Sequence, residues 1–326
     1  MTSVLCSIST RGRYDTTLPL AILSVIQQTV KPDKLVIFDD NPNPVDLREQ
    51  QHYLYLLKLL EQHNIKWECL FAAHKGQHHN HQIANTMGYT WVWRLDDDTI
   101  AEPHVLETLL SHTNSHVGGV GGSVITPPDK RIVDATGKIE NIDQEPNIQW
   151  GMITQVKQVD HLHCSFLYRA GIYDYNLALS NVAHREETLF THGLKQMGYD
   201  LLVVPHAVTW HLKNQQGGIR TQDDPIPYAH DQMIFNNFMQ YTNNTIVILD
   251  CGMGDHVVFS HVLPKIARPV VFSCYPDIIP GGSISQAKQL FGDIDHWNIY
   301  QKMHQWKWTQ SLEKAFEKLY LPRISQ

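Results

Sequence analysis

The chain has 326 residues, of which 42% are apolar and 18% are charged. This balance is typical of a globular protein with one large core, or with one large core and a smaller companion, and it argues against a disordered or fibrous protein. The formal net charge of −7 disfavours a nucleic-acid-binding protein, because such proteins need many Lys and Arg side chains to bind phosphates.

Cysteine usage and the first residues indicate a cytoplasmic protein. The five cysteines are odd in number and form no Cys-x-x-Cys pair, so neither a zinc knuckle nor a disulfide framework is predicted. The opening sequence MTSVLCSISTRGR indicates a first β-strand and not a signal peptide. No run approaches the roughly 18 apolar residues that span a bilayer, so we expect no transmembrane anchor.

The first hundred residues alternate between predicted strands and helices. Short apolar runs predict strands at 3–9, 34–38, 67–72 and 90–95. Helical spacing of apolar residues predicts helices at 18–28 and 54–62, and the histidine-rich segment 77–87 is predicted to be helix or loop. This alternation is typical of an α/β fold with a mostly parallel central sheet.

The rest of the chain suggests a main domain, a linker and a small second unit. In the main domain we expect a strand at 117–125, a helix at 186–197 and short extended pieces at 201–204 and 209–212. Residues 213–229 are rich in Gly, Gln, Asp and Pro and predict a mobile loop. Strands predicted at 245–249 and 270–273, around a helix at 257–266, begin the second unit. The expected boundaries are 1–212 for the main domain, 213–242 for the mobile loop and linker, and 243–326 for a small C-terminal α/β unit.

Acidic residues follow two of the predicted strands. Asp96-Asp97-Asp98 comes directly after the strand at 90–95, and Asp39-Asp40 follows the strand at 34–38. Neighbouring ionised carboxylates repel one another, and a divalent cation relieves that repulsion. Carboxylate oxygens suit Mg²⁺ or Mn²⁺, which also bind diphosphates. The alternative is a solvated turn in which Asp98 caps a helix.

Four segments, taken in order, resemble the family 2 glycosyltransferases. They are SISTRGRYDTTLPLAILSVIQQT, LVIFDDNPNP, WRLDDDT and REETLFTHGLKQMGYDLLVVPHAVTWHL. The similarity extends from Val4 to about Leu212. It implies a GT-A-type nucleotide-sugar-binding fold for the catalytic domain. It also implies an inverting, metal-dependent transfer of a sugar from a nucleotide-diphosphate sugar, expected to be a UDP-sugar, to an acceptor hydroxyl.

The resemblance also implies which residues bind the donor. Thr10 and Asp40 would contact the nucleoside, with Arg13 and Asp39 beside them. Apart from the resemblance, Lys75 precedes the histidine-rich segment and is a candidate to help neutralise the donor phosphates. A plain surface lysine is the alternative for Lys75.

By the same resemblance, Asp96 and Asp98 form the DxD pair that holds Mn²⁺ or Mg²⁺ and the diphosphate. Asp98 is the expected direct ligand, and Asp97 is the aspartate of this donor site least suited to contact the metal. His211 would be a third ligand, since a neutral imidazole binds such cations. The alternative for His211 is a hydrogen bond to the backbone at the end of a strand.

The acidic pair Glu186-Glu187 matches the position of the catalytic base in the family. Glu187 is the expected base and Glu186 its substitute, because the family more often has Asp there. Both acids also suit the N-terminal dipole of a helix, which is the alternative. The imidazoles of His78-His79-Asn80-His81 do not share one helical face, so we expect a solvated or donor-lining segment there and not a transition-metal site.

The segment LDCGMGDHVVFSHVLPKI resembles the start of the heptosyltransferase-like family 9 enzymes. Residues 243–326 are too few for the two domains of those enzymes, so we expect a module for acceptor contact or homo-oligomerisation. The acceptor is expected to be a glycan, a glycolipid or another biomolecule, with hydroxymethylated bases of phage-like DNA as an alternative. The sequence is also compatible with a nucleotidyltransferase or with a catalytically inactive sugar-binding scaffold.

Overall fold

The computed structural model describes residues 2–127, 149, 151–213, 216–218, 225–244, 247–250 and 270–273. The chain divides into two units: Met1–Lys195 with Tyr199–Ile234, and Gln196–Gly198 with Phe235–Gln326. None of the helices within the described ranges has the length and apolar character needed to cross a membrane.

The strands of the first unit form a nine-stranded sheet within the described ranges. They are β1 (Val4–Thr10), β2 (Lys34–Asp39), β3 (Lys66–Phe71), β4 (Trp91–Arg94), β5 (Thr99–Ala101), β6 (Val117–Ile125), β7 (Lys157–Gln158), β8 (Phe166–Arg169) and β9 (Asp200–His211). The helices are α1 (Leu18–Ile26), α2 (Gln51–Gln62), α3 (Gln77–Asn85), α4 (Val105–Ser111), α5 (Glu186–Gln196) and α6 (Pro225–Asn244), with a 3₁₀ turn at Leu47–Glu49.

The sheet is mostly parallel, and the predicted α/β fold is confirmed. Its order is β3-β2-β1-β4-β8-β6-β9-β5, with β7 paired to β9. Strands β3, β2, β1 and β4 are all parallel, whereas β8 is antiparallel to both β4 and β6. Thr10 lies opposite Asp39 in the register of β1 and β2. The aspartates that follow β2 and β4 therefore lie at one edge of the sheet, where α/β folds bind their ligands.

The core lies between the sheet and α1, α2 and α4. Pro19 lies in the first turn of α1, where its fixed φ suits the start of a helix. This helix buries Leu18, Ile22 and Val25 against strand residues such as Trp93 in the same apolar cluster. Burial of this apolar surface fixes the position of β1 and β4 and hence of the polar turns that follow them.

Strand β9 differs from the two short pieces predicted at 201–204 and 209–212. It is one strand of twelve residues, with an irregularity where Gly121 pairs with Val203 and Ser123 pairs with Val208. Pro205 cannot donate a ladder hydrogen bond, and His206 has a positive φ of 68°. The bulge explains why the sequence pattern is interrupted, and beyond it the strand places His211 opposite Thr99 of β5.

The predicted mobile loop at 213–229 is wrong for residues 225–229, which are helical, and the predicted linker up to residue 242 is helical as well. Helix α6 begins at Pro225 and ends at Asn244. A proline is well suited to the first helical position because its N–H needs no partner there, so the proline-rich composition concealed a helix start.

In the second unit, β10 (Val247–Asp250) pairs in parallel with β11 (Val270–Ser273). These strands match the predictions at 245–249 and 270–273. The predicted helix at 257–266 and the glycine-containing turn before it lie outside the described residues.

Candidate active site

Arg13 lies between two of the three consecutive aspartates. Its Nη1 contacts Asp97, and its Nη2 lies 3.1 Å from Oδ2 of Asp98. Asp97 also accepts a hydrogen bond of 3.2 Å from the backbone N–H of Arg11. Burial raises the pKa of Asp97 to about 6, although Arg13 opposes the shift. The carboxylate of Asp97 is therefore already bound by the side chain of Arg13 and the backbone N–H of Arg11.

Arg94, the last residue of β4, is fully buried among three carboxylates. Its Nη2 lies 2.8 Å from Oε1 of Glu187 and 3.3 Å from Oδ1 of Asp96. Its Nη1 lies 2.5 Å from Oε1 of Glu186. One guanidinium thus joins the turn after β4 to the first turn of α5, across 93 residues of sequence.

The two glutamates at the start of α5 have different surroundings. The side chain of Glu186 is 1% exposed, whereas that of Glu187 is 19% exposed. Burial raises the pKa of Glu186 to about 8. Burial also acts against ionisation of Glu187, but the nearby Arg94 and a hydrogen bond with His163 lower its pKa to about 2. Glu187 is therefore the accessible carboxylate of the pair.

Glu187 is held from two further directions. The backbone N–H of Cys164 donates to its Oε1 over 2.9 Å, and Nδ1 of His163 lies 3.0 Å from its Oε2. His163 and Cys164 belong to the segment that leads into β8. These contacts fix one orientation of the carboxylate.

Three potential metal ligands of different chemical types lie close together near Glu187. Within the part of the chain that the structure describes, ligand atoms of Asp96, Cys164 and His211 lie within 4.8 Å of one another. Nε2 of His211 also lies 3.2 Å from Oδ1 of Asp98. The structure therefore brings together the predicted trio Asp96, Asp98 and His211, and it adds Cys164. Carboxylate, imidazole and thiol groups are all ligands of divalent cations, so these residues fit a cation.

An open pocket lies next to the aspartates. Residues that line it include Arg11, Arg13, Asp40, Asp97, Asn181 and Gly218. Gly218 belongs to the segment 216–218, and its backbone N–H donates to the carbonyl oxygen of Arg11 over 3.0 Å. The two guanidinium groups of this pocket are already paired with carboxylates, Arg11 with Asp40 and Arg13 with Asp97 and Asp98, so the lining is strongly polar.

Asp40 is the predicted nucleoside-binding residue that lines the pocket. Its carboxylate pairs with Arg11 and accepts the backbone N–H of Gly76, which lies 3.1 Å from Oδ2. Thr10 is buried and accepts the backbone N–H of Asp40 over 2.9 Å through its carbonyl oxygen. Thr10 thus positions Asp40 and does not itself line the pocket.

Two further predicted donor-binding residues lie outside the pocket lining. Asp39 is buried, and its carboxylate accepts hydrogen bonds from the hydroxyl of Tyr14 and the backbone N–H groups of Asn41 and Val45. It therefore stabilises the turn after β2. Lys75 is exposed and is not among the pocket residues.

The segment His78-His79-Asn80-His81 was predicted to be solvated or donor-lining; solvation is wrong for three of its four residues, and none of the four lines the pocket. His78, Asn80 and His81 are buried on α3. Asn80 donates to the hydroxyl of Ser9 over 2.8 Å, and Nδ1 of His81 lies 3.0 Å from the hydroxyl of Ser7. Hydroxyl groups on β1 therefore provide hydrogen-bond partners for the buried side chains of Asn80 and His81.

Sequence reasoning did not identify Arg11, Arg94, His163 or Cys164 as site residues. Arg94 had a usable signal, because it is a single charged residue in the apolar strand WVWR, and a buried charge needs a partner. The segment His161-Leu162-His163-Cys164 also contains three potential ligands in four residues. Nothing in the sequence shows that this segment lies against Glu187.

No known family profile and no curated protein matches the sequence. Solved structures do match the fold. TarS of S. aureus is 11% identical with a TM-score of 0.50, over 74% of this chain and 40% of that one. GalNAc-T7, crystallised with UDP, GalNAc and Mn²⁺, is 13% identical with a TM-score of 0.53, over 67% of this chain and 45% of that one. The matched region thus spans less than half of either structure, and the chain has the GT-A-type fold of these glycosyltransferases.

Proposed function

We propose that the chain is an inverting, metal-dependent glycosyltransferase that moves a sugar from a nucleotide-diphosphate sugar, specifically a UDP-sugar, to an acceptor hydroxyl. The main support is the convergence of three groups at one sheet edge. These are an arginine-lined pocket, the cluster of Asp96, Asp98 and His211, and the accessible carboxylate of Glu187. A GT-A-type fold alone would not require these groups to meet.

The donor is proposed to bind in the pocket with its diphosphate toward Arg11 and Arg13. Both guanidinium groups line the pocket, and arginine binds phosphate oxygens through paired N–H donors. Asp40, at the same pocket, would contact the nucleoside. The segment 216–218 lies against Arg11 and would help to exclude water from the bound donor.

Asp96, Asp98 and His211 would hold Mn²⁺ or Mg²⁺. A bound cation would neutralise the charge that develops on the leaving diphosphate. The presence of Mn²⁺ and UDP in the GalNAc-T7 structure supports this part of the proposal. Within this chain, Arg94 contacts Asp96 and Arg13 contacts Asp98, and these ion pairs fix the two carboxylates.

Glu187 is the proposed base. As the acceptor oxygen attacks the anomeric carbon, its proton passes to the carboxylate of Glu187 and the bond to the diphosphate breaks on the opposite face. This single displacement inverts the anomeric centre. A base must reach the acceptor hydroxyl, and the side chain of Glu187 is 19% exposed whereas that of Glu186 is 1% exposed.

The acceptor is proposed to be a hydroxyl of a glycan, a glycolipid or another biomolecule, and the second unit is proposed to serve acceptor contact or homo-oligomerisation.

Cys6, Cys69 and Cys164 are free thiols. Free thiols support a reducing compartment, which we propose to be the cytoplasm.

Turnover of a panel of nucleotide sugars with Mn²⁺ tests the function. We expect release of a nucleoside diphosphate from one donor, and not of pyrophosphate, which a nucleotidyltransferase would produce. Asp98→Asn and Glu187→Gln should each lower turnover by about 10²-fold or more. Asp15→Asn and Glu49→Gln, which alter exposed acids, are matched controls and should retain turnover. Unchanged turnover in Asp98→Asn or Glu187→Gln would contradict the assignment.

A further inference from the structure

Cys164 lies next to Asp96 and Glu187 and has a strained backbone conformation. Its side chain is buried, with 2% of the residue exposed, and its φ of 58° is in the left-handed region although it is not a glycine. Its backbone N–H is fixed by Oε1 of Glu187 at 2.9 Å. Strained residues persist where the surroundings hold them, and they concentrate at functional sites.

The position of the sulfur is suited to metal binding. Ligand atoms of Cys164, Asp96 and His211 lie within 4.8 Å of one another. Ligands at about 2.0–2.3 Å from a tetrahedral cation are about 3.3–3.7 Å apart. Contraction by about 1 Å would therefore bring all three atoms into contact with one ion. Asp98, whose Oδ1 lies 3.2 Å from Nε2 of His211, supplies a fourth donor.

We propose that Cys164 is a sulfur ligand in this cation site, and that the site consequently favours thiophilic divalent cations such as Zn²⁺ or Co²⁺ over Mg²⁺. This inference rests on the proposed metal dependence of the transferase and concerns the same site. When the cation binds, the thiol loses its proton to solvent and an electron pair of Sγ forms the bond to the metal. A thiolate is a poor ligand for Mg²⁺ and a good one for zinc-like ions.

Titration of the metal-free protein with Co²⁺ provides a readout that does not depend on turnover. Thiolate ligation gives an intense ultraviolet charge-transfer band, which we expect in the unaltered protein. Cys164→Ser and Cys164→Ala should lose this band and bind Co²⁺ at least tenfold more weakly, whereas Mg²⁺ affinity should change less than threefold. Cys69→Ser is the matched control, because Cys69 lies on β3 outside the cluster, and it should keep the band.

X-ray absorption of the unaltered protein with one equivalent of Zn²⁺ needs no substitution at Cys164. It should show one sulfur at about 2.3 Å, with nitrogen or oxygen neighbours. The same measurement on Cys69→Ser excludes that thiol as the source.

The possible outcomes distinguish failure of the proposed role of Cys164 from failure of the proposed transferase function. Equal Co²⁺ spectra in the unaltered protein and Cys164→Ser, or a zinc shell without sulfur, would overturn the role of Cys164 and leave the metal-dependent transferase standing. Absence of Co²⁺ and Zn²⁺ binding would overturn the sulfur ligand as well. The transferase would then be judged separately, by release of nucleoside diphosphate with and without a chelator.

Discussion

Nη2 of Arg94 lies 2.8 Å from Oε1 of Glu187. The same nitrogen lies 3.3 Å from Oδ1 of Asp96, so one buried cation positions both the proposed base and a proposed metal ligand. The side chain of Arg94 therefore links the proposed base to the proposed metal site. This arrangement requires a fully buried charge at the end of β4, and buried charges are normally costly.

Replacement of Arg94 should strongly destabilise the protein. Arg94→Met removes the cation and leaves buried carboxylates without their partner, and breaking a buried ion pair in this way costs about 3–5 kcal/mol. Urea denaturation followed by circular dichroism measures the change. Arg48→Met is the control, because Arg48 is an exposed arginine paired with Asp46, and it should cost less than about 1 kcal/mol. A similar small loss for Arg94→Met would show that Arg94 does not stabilise the cluster.

The two neighbouring glutamates should differ in their effect on turnover. Glu187→Gln should lower kcat by about 10²- to 10⁴-fold because an amide cannot accept the proton. Glu186→Gln should lower turnover much less than Glu187→Gln does, because the side chain of Glu186 is only 1% exposed and cannot reach an acceptor hydroxyl. Steady-state release of nucleoside diphosphate measures both. Equal losses in the two variants would contradict the choice of Glu187 as the base.

The first four strands, the helices between them and the acidic residues at the sheet edge were predictable, because each depends on short apolar runs and on the residues directly after them. The partnership of Arg94 with Glu187 was not, since it joins residues 93 positions apart. Likewise, the backbone N–H groups of Ser180 and His184 donate to Asp231 of α6 over 2.7 and 2.8 Å. These hydrogen bonds hold residues 180–184 next to the pocket, which Asn181 lines. They depend on helix α6, whose start was not predicted from the proline-rich composition.

The glycine at position 217 should be required for donor binding. Gly217 has a φ of +75°, and an added Cβ would lie 2.4 Å from the carbonyl oxygen of Arg11. Gly217→Ala should therefore displace this segment from the pocket wall and weaken UDP binding in the presence of Mn²⁺ by at least tenfold in calorimetry. Gly88→Ala is a close control, because Gly88 also has a positive φ of +81° but an added Cβ would meet nothing within 4 Å. Equal UDP affinities in the two variants would contradict the proposed contribution of residues 216–218.

Stability should fall below neutral pH because of the buried histidines of α3. Burial lowers the pKa of His78 to about 3 and that of His81 well below its usual value. In the unfolded chain both imidazoles titrate near pH 6.5. Between about pH 6.5 and 3 the unfolded state therefore binds more protons, and the free energy of unfolding decreases as the pH is lowered. His78 should contribute a loss of about 1–2 kcal/mol between pH 7 and 5, and His81 should add a loss in the same direction.

Urea denaturation of the double variant His78→Asn with His81→Asn tests this pH dependence. Its free energy of unfolding should fall less steeply between pH 7 and 5 than that of the unaltered protein. The exposed His63 provides the control variant His63→Asn, which should keep the original slope. An unchanged slope in the double variant would show that these imidazoles do not cause the acid sensitivity.

A crystal structure with UDP and Mn²⁺ tests the central claim most directly. We expect the diphosphate between the guanidinium groups of Arg11 and Arg13 and the cluster of Asp96, Asp98 and His211, with Mn²⁺ bound to that cluster and to phosphate oxygens. The uracil base should lie in the pocket near Asp40. A nucleotide bound elsewhere on the chain, or Mn²⁺ bound away from Asp98 and His211, would contradict the assignment of this sheet edge as the donor site.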